Sequence, residues 1–69
     1  MSSGLINCLR DERTRLGWTQ AELAERVGVS RKTINTVENG VFVPSTVLAL
    51  KLAAAIGKPV EALFKLDEA

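Results

Sequence analysis

Residues 19–40 read TQAELAERVGVSRKTINTVENG, and they describe two short helices joined by one tight turn. Thr19 and Glu22 stand at the spacing of a capping box. In that motif the hydroxyl accepts from the backbone of the third helical residue, whose carboxylate reaches back to the cap. Leu23, Ala24 and Val27 line the inner face of the helix that follows, and Gly28 ends it. Ser30 is a good cap for the next helix. Ile34 and Val37 point inward from that helix together, and Asn39-Gly40 closes it. Ala24 is small where the two helices would cross. Gly28 can take the positive φ that a sharp turn needs, and Val29 fills the inside of the turn.

Outward from this stretch, Gly and Pro divide the chain into five helical pieces. The first is expected from about Leu5 to Leu16, with Leu5, Ile6, Leu9 and Leu16 on one face at 100° per residue and Gly17 as its stop. The fourth runs from Ser45, after Pro44, to Gly57. Its apolar residues Val47, Leu48, Leu50, Leu52, Ala53 and Ile56 nearly encircle it, so it is either central or faces a second partner. The fifth is short, with Pro59 at its start and Val60, Leu63 and Phe64 inward. No alternating segment longer than Val41-Phe42-Val43 argues for a strand. The expected fold class is all-α, with residues 1–69 as a single domain.

Composition narrows function mainly by exclusion. A chain of 69 residues allows one small core, burying roughly 60% of the unfolded chain's surface. The apolar fraction of 46% and charged fraction of 25% are those of a folded globular chain. One Cys and no His exclude a disulfide framework and the usual Cys/His zinc site. No Gly-rich phosphate loop is present, and no pair of acids or bases is marked as reactive, so no enzyme, metal or cofactor is expected. The longest apolar run, Leu52 to Ile56, is too short for a bilayer. Met1-Ser2-Ser3-Gly4 lacks the charged start of a signal peptide. A reducing cytoplasm is the expected compartment. The net charge of +1 gives no general attraction to nucleic acid, so any such function must come from local arrangement.

The small, Gly, apolar, apolar spacing of residues 19–39 is what a helix-turn-helix requires. The whole stretch from Trp18 to Gly40 resembles the Cro/C1-type helix-turn-helix family of lambdoid phage repressors and small bacterial and archaeal regulators. Pro44-Ser45, Leu48-Ala49-Leu50-Lys51-Leu52-Ala53, Ile56-Gly57 and Leu63-Phe64 continue the match. The resemblance implies a five-helix, lambda-repressor-like domain that binds duplex DNA sequence-specifically, usually as a dimer, and that acts as a transcriptional regulator, here a repressor. A protein-interaction or antitoxin-like module on the same fold is the alternative.

Helical geometry turns Lys32, Asn35 and Thr36 away from the Ile34/Val37 face, with Arg31 at its edge. The resemblance puts these four in the major groove. Arg31 suits guanine bidentately, Lys32 does so less rigidly, Asn35 suits adenine, and the Thr36 methyl suits thymine. A solvated polar face is the plain alternative. By resemblance Gln20, Thr33 and Asn39 touch phosphates, with local capping as the alternative for Gln20 and Asn39. Arg10, on the flank of the first helix, is either a phosphate ligand or a solvated arginine. The Val41–Pro44 loop carries no basic residue, so modest binding and a shallow salt slope are expected.

Arg13 falls within the apolar stripe of the first helix, where a charge must find a partner or snorkel. Phage repressors of the family pair an arginine at this position with a glutamate ending the recognition helix, which here is Glu38. Trp18 is expected to pack on the core near Leu23. Val41, Val43, Val47, Leu50 and Phe64 exceed the needs of so small a core. The family's dimers use the loop before the fourth helix and the fifth helix. A homodimer interface is therefore expected around Val41, Val43, Val60 and Phe64, on a near-palindromic operator.

Overall fold

A computed structural model describes residues 4–66. The Met1–Ser3 part of the segment read for a signal peptide lies outside the described residues. In chain order the elements are β1 (Leu5–Asn7), α1 (Leu9–Arg15), α2 (Gln20–Val27), α3 (Arg31–Glu38), α4 (Thr46–Ile56), α5 (Val60–Leu63) and β2 (Phe64–Leu66). Five helices carry the fold, and the two short strands pair antiparallel as Leu5 with Leu66, Ile6 with Lys65 and Asn7 with Phe64.

The strands correct the sequence reading at both ends. Helix α1 starts at Leu9 rather than Leu5, so Leu5 and Ile6 do not extend its apolar stripe. Phe64 leaves α5 with extended backbone, φ −129° and ψ 129°, and belongs to β2. A three-residue segment with two apolar side chains fits a helix face or a strand equally well. What decides here is a partner about 60 residues away, which local periodicity cannot register. The Cys8 N–H, donating to the Leu63 carbonyl at 2.8 Å, continues the same clamp.

The helix boundaries follow their caps. Thr19 and Glu22 form the full capping box: the Thr19 hydroxyl accepts from the Glu22 N–H at 3.0 Å and the Glu22 carboxylate accepts from the Thr19 N–H at 2.8 Å. Ser30 and Ser45 each cap the helix that follows, accepting from Thr33 N–H at 3.2 Å and Leu48 N–H at 3.1 Å. Gly28 closes α2 in the left-handed region, φ 75°, which turns the chain sharply into α3. A Cβ added there would meet no atom within 4 Å, so it is backbone conformation rather than crowding that calls for glycine.

The core is one cluster drawn from every helix. Leu9, Leu23, Ile34, Val37, Leu52 and Leu63 are fully buried, with Ala24, Val27, Leu48, Ala53 and Ile56 around them. Each large side chain so buried contributes about 1.5–3 kcal/mol of transfer free energy. The same packing holds α2 and α3 at a fixed angle. Trp18 packs against the edge of this cluster, and the Arg26 guanidinium lies 4.1 Å from its ring centre. Among the described residues no helix is long and apolar enough to cross a membrane.

Candidate nucleic-acid interface

Burying Ile34, Val37 and the Glu38 carboxylate against the core turns the rest of α3 outward. Arg31 and Lys32 are exposed at its N-terminal end, and Thr33, Asn35 and Thr36 are half-buried beside them. The Thr36 hydroxyl donates back to the Thr33 carbonyl at 2.9 Å, and the Ser30 and Thr33 hydroxyls lie 3.0 Å apart. The first turns of α3 therefore present a long cation pair flanked by short polar groups.

Glu38 sits beneath this face with its side chain fully removed from solvent. Arg13 Nε donates to its Oε2 at 2.6 Å and Arg13 Nη2 to its Oε1 at 3.2 Å, a two-pronged pair. Arg13 Nη1 also donates to the Trp18 carbonyl at 2.7 Å, tying α1 to the start of α2. Gln20 Nε2 and Arg10 Nε donate to Glu38 Oε1 at 3.0 and 3.4 Å. Burial pushes the Glu38 carboxyl upward. The hydrogen bonds from Arg13 and Gln20 and the Arg13 charge more than offset this, holding it below the usual glutamate value.

The structure brings most of the expected site residues into one hydrogen-bonded network. Arg31 Nη1 reaches Gln20 Oε1 at 3.4 Å, Gln20 Nε2 reaches Asn35 Oδ1 at 3.2 Å, Asn39 Nδ2 reaches the same Oδ1 at 3.1 Å, and Arg10 Nη2 reaches Asn39 Oδ1 at 2.6 Å. Lys32, Thr33 and Thr36 stand outside it and line a shallow depression with Val41 and Phe42. Val41 is thereby set apart from the other residues expected at a dimer interface. Val43, Val60 and Phe64 instead share an apolar groove of about 260 Å³ with Leu5, Pro44 and Leu50.

Sequence reasoning missed Asn7. Its Nδ2 donates to the Val37 carbonyl at 2.8 Å and its Oδ1 accepts from the Leu9 N–H at 3.2 Å. One side chain thus satisfies the end of α3 and the start of α1. An asparagine just before a helix is a capping signal, hidden here because the helix was expected to begin at Leu5, ahead of Asn7, rather than at Leu9.

The model of the Helix-turn-helix family matches residues 9–63, which spans all five helices. The chain belongs to the helix-turn-helix family. It is a DNA-binding transcriptional regulator of that family and not an enzyme. It is 51% identical over 61 residues to an uncharacterized HTH-type transcriptional regulator of Methanothermobacter thermautotrophicus, covering 87% of this chain and 88% of that one. It is 42% identical over 62 residues to the HTH-type transcriptional regulator YgzD of Bacillus subtilis, covering 90% and 94% of the two chains. Among solved structures it is similar to the restriction-modification controller protein C.AhdI from Aeromonas hydrophila, with a TM-score of 0.74 and 38% identity over 77% of this chain and 80% of that one.

Proposed function

We propose that this helix-turn-helix chain is a cytoplasmic repressor that binds a near-palindromic operator as a homodimer. Helix α3 lies in the major groove, with Arg31, Lys32, Asn35 and Thr36 against base edges. Thr33, Asn39 and Arg10, with the backbone N–H of Gln20 at the start of α2, hold the backbone phosphates and set the register. The observation that carries this reading is the exposed Arg31/Lys32 pair opening a helix whose opposite face is locked into the core. A rigid helix with cations at its N-terminal end is the arrangement that reads guanine O6 and N7.

The dimer reading is supported by apolar surface. Val41 and Val43 are 79% and 65% exposed, Val47 and Leu50 62% and 55%. Val43, Val60 and Phe64 line one groove, continuous with Leu50, and a second copy related by a two-fold axis would cover it. Similarity to a restriction-modification controller supports reading the chain as a small regulator of that kind.

Methylation interference tests the groove assignment. Guanine N7 methylation within the bound site is expected to abolish binding at the bases facing Arg31. Binding that tolerates N7 methylation at every guanine of the site would overturn it.

A further inference from the structure

Two charged side chains decide the hydrogen-bonding polarity of Asn35. The Glu38 carboxylate can only accept, so the Gln20 amide must turn its Nε2 toward Glu38 Oε1, 3.0 Å away. The same Nε2 meets Asn35 Oδ1 at 3.2 Å, and Gln20 Oε1 is left for Arg31 Nη1. From the other side Arg10 can only donate, so Asn39 must turn its Oδ1 toward Arg10 Nη2, 2.6 Å away. Asn39 Nδ2 is then left to donate to Asn35 Oδ1 at 3.1 Å. Both chains of bonds end on one atom, and they use both of its lone pairs. The Asn35 Nδ2 makes no hydrogen bond among the described residues. No buried side-chain polar atom there lacks a partner, so this nitrogen is open to solvent.

We infer that Asn35 reads DNA as a donor only and selects the keto bases, guanine or thymine, over adenine and cytosine at the position it faces. The inference rests on α3 occupying the major groove, as proposed above. In that groove guanine presents two acceptors, O6 and N7, and thymine presents O4, while adenine presents one acceptor, N7, beside its N6 amine and cytosine an amine alone. A free asparagine amide pairs with adenine through both of its atoms, accepting from N6 and donating to N7. With Oδ1 held by Gln20 and Asn39 the accepting half is gone: the remaining NH₂ can donate to adenine N7 but leaves the N6 amine unpaired beside it, it finds no acceptor on cytosine, and on guanine it can donate to both O6 and N7. This replaces the adenine preference expected from residue type alone. Gln20 and Asn39 act here as positioning residues, setting a base preference through Asn35.

Binding sites selected from randomised duplex DNA by the wild-type protein and by Asn35→Ala locate the position concerned, as the one whose preference flattens in the variant. The wild type is expected to favour guanine or thymine there about tenfold. Asn35→Asp, which can only accept, is expected to turn that preference to adenine or cytosine. The double variant Gln20→Ala/Asn39→Ala frees the oxygen. It is expected to lower affinity for all sequences alike and to raise adenine at that one position, a change that mere structural loss would not produce. Adenine favoured there by the wild type overturns the inference, and so does an Asn35→Ala pool identical to the wild-type pool. A wild-type pool with no enriched sequence would instead overturn the groove assignment beneath it. The polarity is also readable without DNA. Scalar couplings across the hydrogen bonds, from the Gln20 and Asn39 amide nitrogens to the Asn35 carbonyl carbon, are expected in the free protein. A coupling from the Asn35 amide nitrogen to the Gln20 carbonyl carbon would overturn it.

Discussion

At the scale of single residues, Glu38 joins stability to recognition. It is a fully buried carboxylate that holds Arg13 of α1, Gln20 of α2 and Arg10 together under α3. Glu38→Gln keeps the shape and removes the charge, leaving Arg13 buried without its counter-ion. A loss on the order of 2–3 kcal/mol is expected, between that of charged hydrogen bonds and that of a stranded buried charge. Thermal unfolding should show it as a drop of roughly 10 °C or more, and an unchanged melting temperature would contradict the role. The pH dependence follows in sign. The folded carboxyl titrates below its usual value of 4.5, so the stabilisation is complete above that pH and is lost as pH falls through the lower folded value. Unfolding followed from pH 7 to pH 3 should therefore lose less stability in Glu38→Gln than in the wild type. In the proposed complex Arg31 carries recognition without carrying stability, since it is exposed and its one bond, to Gln20, is 3.4 Å long. Arg31→Ala is expected to cost about 1–3 kcal/mol of binding and to relax one base position, with the melting temperature unchanged. Titration against the cognate site and its single-base variants reads both.

At the scale of elements, the turn between α2 and α3 is the part most constrained by backbone. Gly28 adopts φ 75° with open space around it. Gly28→Ala is expected to destabilise by about 1 kcal/mol through left-handed strain alone, or roughly 4–8 °C in melting temperature, while preserving the site that is bound. A loss several times larger in denaturant unfolding would mean a clash the structure does not contain. This unit was legible in the sequence because its signals are local. Thr19 with Glu22, Gly28, and Ser30 each act within four residues, and each forms the cap expected of it. The terminal sheet was not legible. Leu5–Asn7 and Phe64–Leu66 are extended only because each supplies the other's hydrogen bonds, and nothing local distinguishes them from helix ends. The proposed site was legible as a set of residue types on one face of α3. Its bonding was not, because the direction of the Asn35 amide depends on Glu38 and Arg10, which reach it through Gln20 and Asn39.

At the scale of the whole molecule, charge and apolar surface are divided unevenly. The net charge is only +1, so attraction to DNA rests on a few cations near α3 rather than on a general field. Part of the apolar excess, Val43, Leu50, Val60 and Phe64, lines one groove, while Val41 and Phe42 lie beside Lys32 and Thr36 of α3. In the proposed complex α3 reads DNA and the groove joins a second copy. In that dimer the two copies of α3 are expected one DNA turn apart, about 34–36 Å. Selection of binding sites from randomised duplex DNA at moderate salt, with the bound pool sequenced, tests both halves at once. An enriched inverted repeat whose half-sites are centred one helical turn apart is expected. A pool with no enriched sequence across a range of salt and protein concentration would contradict base reading by α3, and an enriched single half-site would contradict the dimer.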